Sequence, residues 1–393
     1  MAERKYQHGK VALLHSGEEF FTALEKLISH AKEIIYLQVY IFDEDETGNR
    51  ILNALIAAAE RNVRVYFMVD GFGAYHLGSD FKQRMRDAGI FFRHFSPLPF
   101  SLLAQAGRRL HVKVCVADGM EAIVGGINIS NRYRGVEGEL PWLDYALKAE
   151  GPIAEEVEIV CAQLWRKQFT RNIKRAPRIH HHERFPVRVK VSLNDWFRSR
   201  NHISSAYKRM LRKAQKEIII IASYFIPGTK MLNALLYAVR SGKKVTVILS
   251  QHSDVPLVKD AIDYLYPKLL REGVIIYEYQ TSILHAKACV IDDRWLSLGS
   301  HNLNNLSELM SVEMNLEVLD DDVAGNFAEE MRRLIREECR VVNAEEFKES
   351  LNVLIKFRWW LAYNILGLIQ RILYLFFRRE TFPVKGRSRV DFK

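Results

Sequence analysis

Two stretches of this chain run through the same order of elements, and that duplication restricts its fold more than any other feature. Glu33-Ile-Ile-Tyr-Leu-Gln-Val-Tyr-Ile-Phe42 is matched by Glu217-Ile-Ile-Ile-Ile-Ala-Ser-Tyr-Phe-Ile226. Both are too continuously apolar for a half-exposed strand and read as central strands buried on two faces. Each is followed by a helical segment carrying Leu-Asn-Ala-Leu, at 52–55 and 232–235. A second apolar strand comes next, at 63–69 and 244–249, and a third opens at Gly89 and Gly273. Strand, helix, strand in this order predicts α/β units, one per half.

Each half then carries the same polar pattern. The first is His111-Val-Lys113, Asp118 and Gly125-Gly126-Ile-Asn128; the second is His285-Ala-Lys287, Asp292 and Gly299-Ser300-His-Asn302. The spacing is identical in the two copies. Alternate residues of a strand share a face, so each His points the same way as the Lys two residues on. Single residues of these types are usually structural, but several fixed positions repeated in a duplicated unit point to a shared site.

The residue types suit phosphodiester chemistry. Lysines can neutralise the non-bridging oxygens that repel a nucleophile. Imidazole is nucleophilic when neutral and titrates near pH 6.5 in water. One His can attack phosphorus while the other, protonated, gives its proton to the leaving alcohol and later takes one from the acceptor. The Gly pair lets backbone approach a ligand, and its N–H groups with the Asn amide are expected to hold anionic oxygens. No metal or cofactor is needed, because the lysines supply the positive charge.

These are the HxK(x)4D(x)6G(G/S)xN motifs of the phospholipase D superfamily. Over roughly residues 10–340 the chain resembles a bacterial cardiolipin synthase of the short type, without N-terminal transmembrane helices. The resemblance implies two α-β-α sandwich domains related by a pseudo-two-fold axis, with one active site at their interface. It assigns His111, Lys113, Asp118, His285, Lys287 and Asp292 to the catalytic motifs, the two aspartates in supporting roles. His111 would be the nucleophile and His285 the acid and then base, although the near-symmetry of the motifs leaves their order open. Lys113, Lys287, Asn128 and Asn302 would bind the phosphate. Asp144 and Glu313, which follow the two histidines by 33 and 28 residues, would each orient its own His through the other ring nitrogen.

Charge and composition bound the partners. The net charge is +10, concentrated in residues 166–190 and 351–393, each with nine Lys or Arg. Such clusters fit an anionic partner, either an acidic membrane surface or a nucleic acid. Cys115, Cys161, Cys289 and Cys339 are far apart and form no CxxC pair, so a zinc site or disulfide framework is not expected. Residues 1–10 are polar and read as neither signal peptide nor membrane span. The expected organisation is a first domain at 1–165, a basic linker at 166–190, a second domain at 191–345 and an aromatic, basic, amphipathic tail at 346–393. Residues 96–109 form an insert with no counterpart in the second half, suited to dipping into a lipid interface or covering the active site, or equally to a helix docked on the core. The run His180, His181 and His182 reads as solvated linker.

In the tail only 12 residues separate Arg358 from Arg371, too few for a membrane span of about 20. Aromatics and leucines flanked by cations suit a helix lying in a membrane interface. The expected activity is transfer of a phosphatidyl group between phospholipids, with phosphatidylglycerol, and phosphatidylethanolamine as a further partner substrate, at the cytoplasmic side of the cell membrane. Hydrolysis to phosphatidic acid by the same motifs and nuclease action are the rivals. The aromatic tail speaks against nucleic acid as the substrate.

Overall fold

The computed structural model describes residues 5–96, 108–136, 138–166, 185–195, 200–304, 310–349 and 352–380. The first half runs β1 (Gln7–His15), α1 (Glu18–His30), β2 (Ile34–Val39), α2 (Glu46–Glu60), β3 (Arg64–Asp70), α3 (Ser79–Asp87), β4 (Phe91–Phe95), β5 (Arg109–Leu110), β6 (Val114–Ala117), β7 (Glu121–Gly125), α4 (Asn131–Arg134), β8 (Tyr145–Glu150) and α5 (Pro152–Arg166). The second runs β9 (Val187–Asp195), β10 (Arg200–Asn201), α6 (His202–Lys213), β11 (Glu217–Ala222), α7 (Thr229–Arg240), β12 (Lys244–Ser250), α8 (Pro256–Asp263), α9 (Tyr266–Arg271), β13 (Ile275–Tyr279), β14 (Lys287–Ile291), β15 (Trp295–Gly299), β16 (Ser311–Leu319), α10 (Asp321–Glu338) and β17 (Cys339–Val341). Helices α11 (Ala344–Glu349) and α12 (Val353–Glu380) follow.

The duplication is visible in the pairing. One sheet has the order β4-β3-β2-β6-β7-β8-β1, the other β13-β12-β11-β14-β15-β16-β9. Over these seven strands they are the same mixed sheet, with parallel neighbours on one side of β2 or β11 and antiparallel ones on the other; in the second half β17 adds an antiparallel edge to β13. The predicted central strands are central. All six residues of β2 are buried, with Ile35, Leu37 and Val39 packed against α1 and α2 on the outer face. Ile34 and Tyr36 face inward. In β11, Ile218 and Ile220 face the outer layer and Ile219 and Ile221 the inner one.

The inner faces of both sheets share one core. Val157 and Val160 of α5, Phe327 and Met331 of α10, and strand residues of both halves form a single buried cluster. Gln7–Gly9 of β1 also pairs with β9, so the two sheets are hydrogen-bonded as well as packed. Burial of this shared apolar surface ties the halves into one body.

Three expectations change. The second domain begins earlier than 191, because β9 spans Val187–Asp195 and pairs along β16. Lys190 therefore belongs to no solvated linker: it is buried, with its ammonium 3.2 Å from Glu317. Asp118 and Asp292 lie away from the motif histidines. Asp118 accepts hydrogen bonds from the backbone N–H groups of Lys32, Glu33 and Ile34 at 2.8–2.9 Å. Asp292 does the same for Gln215, Lys216 and Glu217 at 2.7–3.0 Å. Both residues have φ 54°, the left-handed region that Asp tolerates better than most side chains. Each is a clamp on the start of its central strand. The 96–109 insert and the 166–190 segment, with its three consecutive histidines, fall largely outside the described residues.

The tail helix α12 has two apolar sides. Trp359, Ala362 and Leu366 are buried against the second domain. Trp359 stacks on Phe347 with ring centroids 5.4 Å apart, and Arg358 pairs with Asp260 at 2.8 Å. Leu354, Phe357, Leu361, Leu368 and Ile372 project outward and are exposed. The helix thus packs on the core and presents a lipid-compatible stripe at the same time. No helix among the described residues is long and apolar enough to cross a membrane.

Asp118→Ala strips the acceptor from three backbone donors and leaves Ala in a strained φ. The expected loss is about 2–3 kcal/mol in urea unfolding, with near-normal turnover per folded molecule. A large drop in turnover at unchanged stability would return Asp118 to the chemistry.

Candidate active site

The two motif histidines line one cavity of about 360 Å3 between the halves. What places them there is backbone pairing across the pseudo-axis. β5, just before His111, lies parallel to the start of β16, with Leu110 opposite Val312. The N–H of His111 donates to the carbonyl of Val312 at 3.0 Å. The mirror contact joins Leu284 to Leu143, and the N–H of His285 donates to the carbonyl of Leu143 at 2.8 Å. The residue after Val312 is Glu313, and the residue after Leu143 is Asp144.

The acids are therefore exchanged. His111 Nδ1 lies 2.9 Å from Glu313 Oε2, and His285 Nδ1 lies 2.7 Å from Asp144 Oδ2. The expectation that each acid serves the His of its own half is corrected: each serves the other half's. Register explains the exchange, because the strand leading to each acid is laid beside the segment leading to the opposite His. With Nδ1 engaged, Nε2 is the ring nitrogen left for chemistry on both histidines.

The Gly-Gly and Gly-Ser pairs have another purpose than the one expected. The N–H groups of Gly125, Gly126 and Ser300 are spent on the carbonyls of Lys113, Tyr145 and Met314 at 3.0–3.1 Å, so they hold no anion. The small residues make room for the acids. A Cβ on Gly126 would sit 2.3 Å from Asp144 Oδ1. In the second half Ser300 donates its hydroxyl to Glu313 Oε2 at 2.6 Å.

Lys113 and Lys287 lie buried beside the histidines. Lys113 Nζ donates to the carbonyl of His111 at 2.8 Å, and Lys287 Nζ donates to that of His285. Lys287 Nζ is also 2.9 Å from His285 Nδ1. Asn128 lines the cavity, its amide accepting from the Ile41 N–H at 3.1 Å and donating to Tyr133 Oη at 2.8 Å. Asn302 accepts from Ser223 Oγ at 2.9 Å.

Crowding four basic groups into a dry site lowers the proton affinity of each. Burial, and then the two lysines, bring His111 down to about 4 against the pull of Glu313. Burial, Lys287 and Lys113 hold His285 well below its ordinary value. Burial pushes Lys113 down to about 7 and Lys287 to about 8. Burial also raises Asp144 to about 7, whereas at Glu313 the His111 contact outweighs burial and leaves the carboxyl below its ordinary range. A phosphodiester seated against the lysines would restore their charge and raise the proton affinity of both histidines.

Several lining residues were missed in the sequence: Tyr133 and Trp142 carry no repeat, whereas Tyr40 and Tyr224 share one position of the duplicated apolar runs, a signal that could have found them. Tyr133 Oη is 3.4 Å from His285 Nε2, and Trp142 lies against the same ring at 6.0 Å. Tyr40 flanks His111 at 5.0 Å and lies 5.2 Å under the Lys113 ammonium. Tyr224 donates to Asp254 at 2.7 Å in the cavity wall. Arg109 and Arg132 complete the cationic lining.

Comparison with known proteins agrees with this architecture. The family described as "Cardiolipin synthase, PLD-like domain" matches residues 24–165 and 207–335. The chain is 33% identical over 363 residues to cardiolipin synthase B of Escherichia coli K12, covering 89% of this chain and 84% of that one. It has the same identity and coverage against cardiolipin synthase B of Shigella flexneri. Among solved structures it is similar to phosphatidylserine synthase of Haemophilus influenzae, with a TM-score of 0.72 at 15% identity over 94% of this chain and 96% of that one. At 15% identity that likeness speaks for the fold.

The pH dependence follows from the buried groups. kcat/KM for the donor should rise as His111 deprotonates through about 4, fall first as His285, held by burial and the two lysines well below its ordinary value, loses the proton it must donate, and fall further as Lys113 and Lys287 lose charge through about 7 and 8. Initial rates at subsaturating donor measure this. An acid limb at the ordinary imidazole value, near 6.5, would contradict a desolvated His111.

Proposed function

Because the chain belongs to the phospholipase D-like cardiolipin synthase family, we propose that phosphatidylglycerol is both donor and acceptor and that the reaction runs through a phosphohistidine on His111. The enzyme is a cardiolipin synthase-like phosphatidyltransferase. The observation that carries the finer reading is the pair of histidines on one cavity, each backed at Nδ1 by a buried carboxylate and each beside a buried lysine.

In the first half-reaction Nε2 of His111 attacks phosphorus and the phosphorus–oxygen bond to the headgroup glycerol breaks. His285 gives its Nε2 proton to the departing oxygen. In the second, the hydroxyl of another phosphatidylglycerol attacks phosphorus, His285 takes its proton, and the phosphorus–nitrogen bond breaks to restore His111. Glu313 and Asp144 fix the tautomers so that Nε2 faces phosphorus on one side and the exchanging alcohol on the other. Lys113 and Lys287 offset the charge that builds on the phosphoryl oxygens, with Asn128 and Asn302 shaping the same pocket. His111 is named nucleophile because its Glu313 is the more strongly ionised partner, and Tyr133 already covers Nε2 of His285.

The exposed stripe of α12, with Lys356 and Arg371 exposed on the same helix, supports a peripheral position on an anionic membrane surface. We place it at the cytoplasmic side. A nucleic acid substrate would have no use for that stripe.

Purified protein on phosphatidylglycerol vesicles should release cardiolipin and glycerol, read by lipid mass spectrometry. His111→Ala should lose about 10⁴-fold or more, and His285→Ala about 10²- to 10⁴-fold. Phosphatidic acid as sole product would make water the acceptor. Turnover surviving in the doubly substituted protein would overturn the histidine mechanism.

A further inference from the structure

Resting on the phosphatidyl-transfer reading above, we propose that Arg132 binds the phosphate of the acceptor lipid and thereby sets the balance between transfer to a second phospholipid and transfer to other hydroxyl compounds.

A transferase that joins two phospholipids must hold two phosphates. Lys113 and Lys287 are buried and turned onto the carbonyls of His111 and His285, so they serve the one phosphoryl group between the histidines. The second anion needs a cation elsewhere in the lining. Arg109 is a poor fit, being nearly buried and already paired with the fully buried Asp70. Arg132 stands at the rim with 43% of its side chain exposed. Its guanidinium lies over the Trp142 ring at 5.1 Å, with Nε toward Ser130 Oγ at 3.3 Å and Nη2 on Asp43 at 2.9 Å. Among the described residues Nη1 has no partner. The guanidinium plane is thus braced on two sides and has one edge open, a geometry suited to phosphate oxygens.

Position decides which phosphate. Trp142 beneath Arg132 packs on His285, and Tyr133, the next residue, approaches His285 Nε2. The group that protonates the leaving alcohol must deprotonate its replacement, so the acceptor hydroxyl sits at His285. In phosphatidylglycerol that hydroxyl and its own phosphate are at opposite ends of one glycerol. Asp254, held by Tyr224, lies in the same cavity and can accept the hydroxyl between them. Arg132 also depresses the proton affinity of His285. A phosphate on the guanidinium would cancel that charge and favour His285 as base once an acceptor is seated.

The test is a competition on phosphatidylglycerol vesicles containing ethanol, with cardiolipin, phosphatidylethanol and phosphatidic acid quantified together. The ratio of cardiolipin to phosphatidylethanol should fall about 10- to 100-fold in Arg132→Ala. Arg132→Lys, which keeps the charge but not the fork, should recover part of the ratio, and Arg132→Gln should not. A ratio unchanged in all three variants, or all products falling in parallel, would overturn the proposal with the transferase reading intact. Wild-type protein that makes phosphatidylethanol but no cardiolipin would overturn the reading of transfer to a second phospholipid, and this proposal with it.

Discussion

Everything at the centre of this protein depends on two short backbone pairings that cross from one half to the other. Leu110 runs beside Val312, and Leu284 beside Leu143. Each pairing brings a His of one half next to the carboxylate of the other. Neither half therefore holds a complete histidine–carboxylate pair. The duplicated sheets, the shared inner core and the β1–β9 pairing keep the crossings in register. A shift of one residue in either would turn the acid away from the imidazole, because neighbouring side chains point to opposite faces.

The second constraint is electrostatic. Two lysines and two histidines are held with too little water to solvate their charge, opposed at hydrogen-bond range by Glu313 and Asp144 and from further off by Asp70 and Asp254. This destabilises the empty site in its fully protonated form and prepares it for an anion. The two halves answer the same need with different pieces. Asp144 requires glycine at 126, since any Cβ there would strike its carboxylate. Glu313, one methylene longer, is held by the hydroxyl of Ser300. The inequality gives two chemically similar copies distinct surroundings, and so allows one His to be neutral while the other carries the proton.

Much of this was legible in the chain. The duplicated apolar runs predicted central strands, and β2 and β11 occupy the centre of their sheets. The repeated HxK spacing drew His111, Lys113, His285 and Lys287 toward one site, and 144 and 313 stood out as acids. What chain order could not reveal was partnership between them. Sequence distance pointed each acid to the nearer preceding His, whereas strand register across the pseudo-axis decides otherwise. The motif aspartates looked chemical because they recur with the histidines. They recur because each half must clamp a central strand. The glycines suggested an anion cradle, and their real neighbour, a carboxylate, is visible only in three dimensions. Tyr133, Trp142 and Arg132 follow no repeat, so nothing in the duplicated pattern marked them.

The exchange of acids is tested most directly at the imidazoles themselves. Histidine-selective ¹⁵N labelling, with resonances assigned by His111→Gln and His285→Gln, gives the ring nitrogens of each His in wild type, Glu313→Gln and Asp144→Asn. Crossed pairing predicts that Glu313→Gln moves the Nδ1 signal of His111 far more than that of His285, and that Asp144→Asn does the reverse. If Glu313→Gln moves His285 and Asp144→Asn moves His111, each half holds its own pair and the crossed site is wrong.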